Sequence, residues 1–214
     1  MSLVDDETHD GTIVLPWWRN PLNVALIGLA AALLFTGLGW SLGGRDSSLA
    51  HNDVDAGFLQ DMRIHHEQAV TMSIVYNGVA PTGNALLSSI AREIVVDQST
   101  EAGRMVQLLR MFGESETNET DTAMTWMDMP TPIDEMPGMA SEKQLRDLYE
   151  SRGTEAHRLF ATLMIAHHEG GVHMAEHVLV HGRNAEVRAM ARSMITSQNG
   201  EIGELRRALG ELPD

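Results

Sequence analysis

A fifteen-residue string occurs twice in this chain. FLQDMRIHHEQAVTM begins at Phe58 and FATLMIAHHEGGVHM at Phe160, an offset of 102 residues. AREIVVDQSTE, from Ala91, returns as ARSMITSQNGE, from Ala191, at an offset of 100 residues, so only the intervening turn has changed length. Apolar positions in both strings recur at three- and four-residue steps, the period of an α-helix. Each half is therefore a helix pair whose apolar stripe it cannot bury alone. Two such hairpins packed together predict an all-α protein, a duplicated four-helix bundle.

Punctuation along the chain places the elements. Phe58, Met62, His65, Ala69, Met72 and Tyr76 form the inward stripe of a first helix, and NGVAPTGN, residues 77–84, is a turn rich in Gly, Pro and Asn. Asn84 caps a second helix running to about Phe112. Ser141 with Gln144 makes a capping box for a short third helix. Gly153 interrupts it, Thr154 is placed to cap a long helix to about His181, and Asn184 to cap a last one ending near Gly210. The expected organisation is repeat 1 over 54–113, a Met-rich connector over 114–140 and repeat 2 over 141–212.

Ahead of the repeats, LNVALIGLAAALLFTGLGWSL, residues 22–42, is uncharged throughout, the length a helix needs to cross roughly 30 Å of hydrocarbon. Trp17, Trp18 and Trp40 stand at its ends, where amphipathic rings favour the membrane interface. A cleaved signal peptide with SLA, residues 48–50, as its site is the rival reading. The run exceeds an ordinary signal h-region and its leading segment is acidic, which favours a retained anchor. The expectation is a cytoplasmic tail over 1–21, a span over 22–42, a spacer over 43–53 and an extracytoplasmic bundle over 54–212. Arg19 and Arg45 balance across the span, so the orientation rests on the usual arrangement of a short tail inside.

The formal charge of −15 excludes a nucleic-acid partner, whose phosphates need a basic footprint. With no cysteine, thiolate sites and thiol nucleophiles are excluded as well. Fourteen methionines and ten histidines leave thioether and imidazole as the soft donors available. On a helical wheel Met62, His65, Ala69, Met72 and Tyr76 share one narrow face, and Met164, His167, Gly171, Met174 and Val178 repeat it. His66 and His168 lie further round, each one turn from Met62 or Met164. Were the two inner faces to meet, Met62, His65, His66, Met72, Met164, His167, His168 and Met174 would converge, a set that suits Cu(I), and Cu(II) through imidazole.

Other residues extend that picture. Gln98 with Glu101, and Gln198 with Glu201, interrupt the apolar stripes of the partner helices, so they are expected to orient the histidines or complete a polar network. His173 and His177 have the spacing of a paired metal site on the flank that also carries Glu169 and His181. Met124, Met127, Met129, Met136 and Met139 crowd into sixteen residues of the connector. They are either a flexible thioether trap for Cu(I) or an apolar lid across the bundle. The plain alternative throughout is structural: Met fills gaps in helical cores, and duplication copies a structural His as readily as a ligand.

GFLQDMRIHHEQAVTM, the MPGMAS segment, LFATLMIAHHEGGVHMAEH and the closing SQNGEI resemble the ferritin-like family of domain of unknown function 305, the CopM-like proteins. The resemblance runs over about residues 53–210, and the arginine-rich, lysine-poor composition fits a membrane-anchored member from an actinobacterial type of source. It implies an exported, duplicated ferritin-like bundle. Some members are associated with copper binding and tolerance, while most have no assigned activity. Similar proteins often carry an Asp near the start of the second His-His helix, where this chain has His157.

Three functions compete: membrane-tethered copper buffering, a metal-free interaction module with structural His pairs, and a di-iron oxidase. The oxidase needs Glu-x-x-His motifs. Glu67 and Glu169 have no His three residues later, Glu101 is followed by Arg104 and Glu201 by Glu204. No Ser-His-Asp arrangement or phosphate-binding loop is readable, so a non-enzyme is expected. A homo-oligomer stays open.

Overall fold

The computed structural model describes residues 16–43, 49–80 and 83–213. The chain divides into two compact units, Met1–Ser47 and Ser48–Asp214. In the first, Trp17–Arg19 makes a single 3-10 turn and Pro21–Gly43 forms α1. Pro21 stands at the first helical position, where its missing N–H costs nothing, and Asn20 Oδ1 accepts the Leu22 N–H at 3.0 Å. The window Pro21–Leu38 has a mean hydropathy of 1.9 and is not buried, so α1 is long and apolar enough to cross a membrane. Trp17 and Trp18 are exposed and meet edge to face. The side chain of Trp40, Arg45, and Ser48 of the SLA string lie outside the described residues, as do residues 1–15.

The second unit carries five helices among the described residues: α2 Asp53–Val79, α3 Ala85–Phe112, α4 Glu142–Glu150, α5 Gly153–His181 and α6 Ala185–Gly210. Capping sets most of the starts. Asn52 and Asp55 form a reciprocal capping box on α2, and Ser141 with Gln144 does the same on α4. Asn84 Oδ1 accepts from Leu87 N, and Asn184 Oδ1 from both Glu186 N and Val187 N. Thr154 does not cap α5. The helix opens one residue earlier at Gly153, whose φ of +57° makes the reversal out of α4, so Thr154 falls inside the first turn. Pro81 and Thr82 of the first hairpin turn lie outside the described residues.

Hairpin α2–α3 and hairpin α5–α6 pack through α2 against α5 at the centre, with α3 meeting α6 on one side. The core falls into two apolar clusters. Phe58, Met62, Met105, Met174, Met190 and Met194 belong to one, Met72, Tyr76, Ile94, Phe160, Met164 and Leu205 to the other. Met62 thus shares a cluster with Met174, and Met72 with Met164. The two repeats therefore run antiparallel across a pseudo-twofold axis.

The connector is more ordered than its composition suggests. Thr122–Ala123 and Thr131–Pro132 pair as a two-residue antiparallel ladder, and short 3-10 turns follow at Thr125–Met127 and Ile133–Glu135. Met124, Met127 and Met136 are buried in the first cluster and Met139 packs against it, while Met129 is 51% exposed. Four of these methionines therefore pack as an apolar lid, the arrangement that the lid reading expects. Apolar side chains on the rim of an unfilled core gain burial energy, of order 1.5–3 kcal/mol for a Met, that a solvated loop would forgo.

Candidate metal centre

At the middle of α2 and α5 the two His-His steps face each other. The rings of His65 and His167 lie 3.7 Å apart, centroid to centroid, at an interplanar angle of 34°. All four residues of the two steps are at most 1% exposed. The bland inward stripe and the candidate ligands are the same positions, because the repeat brings α2 and α5 together at their midpoints.

Each ring nitrogen that has a partner fixes a tautomer. His65 Nε2 lies 3.2 Å from the Pro137 carbonyl, which can only accept, so Nε2 carries the hydrogen. His66 Nε2 lies 2.9 Å from a carboxylate oxygen of Glu101, and His168 Nε2 makes the same bond to Glu201. In His65 the lone pair is left on Nδ1, and in His66 and His168 Nδ1 is the nitrogen turned away from the carboxylate. Those three Nδ1 atoms, and both nitrogens of His167, are buried without a hydrogen-bond partner. Gln98 Oε1 and Gln198 Oε1 are orphaned beside them. Buried polar atoms are nearly always paired, so seven orphans at one place are a property of the site. The expected pairing of Glu101 and Glu201 with histidine is present. The two glutamines do not join that network through their oxygens.

Burial dominates the electrostatics. It pushes the pKa of His65 down from 6.5 to about 3, reinforced by the neighbouring His66. His167 is pushed well below 6.5 by burial and then by His65 and His168. Both rings are neutral at physiological pH, the form that binds metal. The donor set therefore fits a soft to borderline ion: unpartnered Nδ1 lone pairs, carboxylates orienting two of the rings, and Met62 and Met164 one turn away. Among the described residues, however, no three His, Cys, Asp or Glu side chains converge as a metal-holding group. As it stands, the centre is two faced imidazoles flanked by two carboxylate-held ones, and a bound ion would need the rings to turn.

The remaining candidates separate. His173 is exposed. His177 stacks on His181 at 4.3 Å and meets Trp126 edge to face at 5.6 Å, its pKa lowered by burial and then by His181 and His173. His157 is buried and shares a hydrogen bond of 2.8 Å with the Tyr76 hydroxyl. One repeat earlier stands Asp55, which accepts the Arg183 and Asn184 N–H groups and so fastens the α5–α6 turn. His157 occupies the equivalent place beside the α2–α3 turn, where a Cβ on Gly83 would lie 2.9 Å from its Nε2.

Sequence reasoning missed the residues that seat the connector. Asp61, 1% exposed, accepts the Met124 N–H, the Trp126 indole N–H and the Asn118 amide. Gln68 bonds Ala140 through both its amide atoms. A Cβ on Gly170 would lie 1.9 Å from Pro137 O, and one on Gly57 2.4 Å from Trp126. A signal existed. The repeats differ in polarity or bulk at these positions, Asp61 against Leu163, Gln68 against Gly170 and Gly57 against Leu159. A single connector can cover only one side of a pseudo-twofold body.

Fold and site together define a class: a duplicated four-helix bundle with paired, carboxylate-supported histidines across its pseudo-twofold axis. The chain belongs to the DUF305 family, a domain of unknown function, which matches residues 55–209. It is 33% identical to a candidate secreted DUF305 protein of Streptomyces coelicolor, over 74% of this chain and 93% of that one, with a TM-score of 0.66. A DUF305 fragment from Deinococcus radiodurans is 28% identical over 75% of this chain and 98% of that one, with a TM-score of 0.65. CopM in its Cu(I)-bound form shares the fold at 24% identity, over 72% of this chain and 93% of that one, with a TM-score of 0.53. No curated protein matches the chain.

Proposed function

We propose that this is a membrane-tethered, extracytoplasmic metal-binding protein that buffers copper through histidine and methionine. The observation that carries the reading is the cluster of unpartnered imidazole nitrogens at the crossing of α2 and α5, with Glu101 and Glu201 holding two of the rings. Protein atoms satisfy almost every other buried side-chain polar group among the described residues, whereas here each of four histidines keeps a buried nitrogen without a partner. His65, His66, His167 and His168 would hold the ion, with Met62, Met72, Met164 and Met174 as thioether donors at the ends of the same faces. The buried, neutral imidazoles and the thioethers favour Cu(I).

The likeness to CopM supports the choice of metal, since that protein is solved with copper bound. The uncharged α1 with its exposed tryptophans supports a retained anchor over 22–42, a cytoplasmic tail over 1–21, a spacer over 43–53 and an outside bundle over 54–212. The candidate secreted relative favours the outside placement. His173 and His177 are assigned no metal, because His177 is engaged by His181 and Trp126.

A second reading has its own observation. His65 and His167 pack ring against ring at 3.7 Å, tilted by 34°, and a metal-free interaction module would keep the four rings purely as core. Anaerobic Cu(I) competition against a chromophoric chelator separates the two. The full-length chain in non-ionic detergent would be compared with a variant in which all four histidines are Ala, circular dichroism establishing that the variant folds. Tight binding lost in the folded variant is the expected result. No tight binding in the parent sinks the copper reading and leaves the module.

A further inference from the structure

The next step rests on the copper reading: how an ion reaches rings that are at most 1% exposed. On one side the connector seals them. Pro137 O takes the His65 Nε2–H, a Cβ on Gly138 would lie 2.3 Å from Ala166 O, and one on Gly170 would lie 1.9 Å from Pro137 O. The opposite side, between α3 and α6, is open. There a cavity of about 230 Å³ is lined by Asp97, Gln98 and Glu101 of α3 and by Ser197, Gln198 and Glu201 of α6, among others.

Three properties of this cleft point to a cation. First, it straddles the pseudo-twofold axis: Asp97 and Ser197, Gln98 and Gln198, Glu101 and Glu201 are each 100 residues apart, the offset of the repeat. It therefore lies over the meeting point of the four histidines. Second, three carboxylates line it and no lysine or arginine does. An acidic cleft with low-dielectric walls focuses field and raises local cation concentration. Third, Gln98 and Gln198, only 4% and 3% exposed, form its floor, and their buried Oε1 atoms have no hydrogen-bond partner, that of Gln198 lying against Gly171 of α5. Below them Glu101 and Glu201 connect directly to His66 and His168.

We propose that the α3–α6 cleft is the path by which a copper ion reaches the buried histidines. Asp97 and the two glutamates draw the cation in by their charge, and Gln98 and Gln198 line the way to the imidazoles. The connector face takes no part in uptake.

The test is the rate of Cu(I) capture by the full-length chain in non-ionic detergent, followed anaerobically by stopped flow from a weak chromophoric chelator over a range of salt. One variant carries Asp97→Lys with Ser197→Lys, both exposed at the cleft mouth. A control carries Asp134→Lys with Thr125→Lys, exposed on the connector and equal in charge change. The cleft variant is expected to capture copper at least about tenfold more slowly and to lose the parent's salt dependence. Its final affinity should stay within about threefold of the parent, and the control should match the parent's rate. Ser197→Lys alone should give an intermediate rate, which guards against a folding defect in the pair. Equal slowing by both pairs, or slowing by the control alone, overturns the path while leaving the copper reading intact. A parent that takes up no copper overturns both.

Discussion

His66 gives its Nε2–H to Glu101 across 2.9 Å, and His168 does the same to Glu201 one repeat later. Each bond reaches from a central helix to its hairpin partner, turning an imidazole so that Nδ1 faces inward. Carboxylates in this position hold ring and tautomer, and removing them typically costs about 10–100-fold in metal affinity. Glu101→Gln combined with Glu201→Gln is expected to raise the Cu(I) dissociation constant by about that factor. Unchanged affinity in chelator competition would mean that the carboxylates serve only the packing.

Acid should weaken the metal-free fold through His65 and His167. Both have pKa values depressed by burial, His65 to about 3, against 6.5 when unfolded. Between those values the unfolded chain binds a proton that the folded chain refuses, so stability falls as the pH is lowered. The expected slope is about 1.4 kcal/mol per pH unit for each buried ring. For His65 the loss starts near 6.5 and levels off below about 3. Urea unfolding from about pH 7 to about pH 4, in the parent and in a His65→Gln, His167→Gln variant, measures it. Parallel curves for the two would refute the assignment.

Gly170 lets the connector lie on α5. A Cβ there would sit 1.9 Å from Pro137 O, and that atom belongs to backbone with no rotamer to yield. Gly170→Ala should cost roughly 1–3 kcal/mol of unfolding free energy. Gly103→Ala, where nothing lies within 4 Å, should be neutral or slightly stabilising through helix propensity. Thermal denaturation of the pair tests the docking, and equal melting temperatures would contradict it.

The connector methionines should divide by burial. Met124→Ala, at 1% exposure, is expected to destabilise by about 2–5 kcal/mol, and Met129→Ala, at 51%, by less than about 0.5 kcal/mol. Chemical unfolding measures both. A neutral Met124→Ala would return the connector to the status of a loose loop.

The sequence by itself determined the duplication, and from it the bundle. Residues at three- and four-residue steps can bury only one face, and a repeated hairpin supplies its own partner. Caps at Asn84, Ser141 and Asn184 were legible because each satisfies orphan N–H groups a few residues away, whereas Thr154 misled because a left-handed Gly153 outweighed it. The candidate histidines were legible for the same reason as the core.

Only the tertiary structure decided what those side chains meet. Antiparallel packing of α2 and α5 grouped Met62 with Met174 and Met72 with Met164, a pairing no single helical wheel contains. The connector's lid depends on Asp61 and Gln68, whose partners lie 57 or more residues away along the chain. The side-chain period of a helix is written locally. Which face is sealed, and which is left as an acidic cleft, follows from where one asymmetric segment settles on a nearly symmetric body.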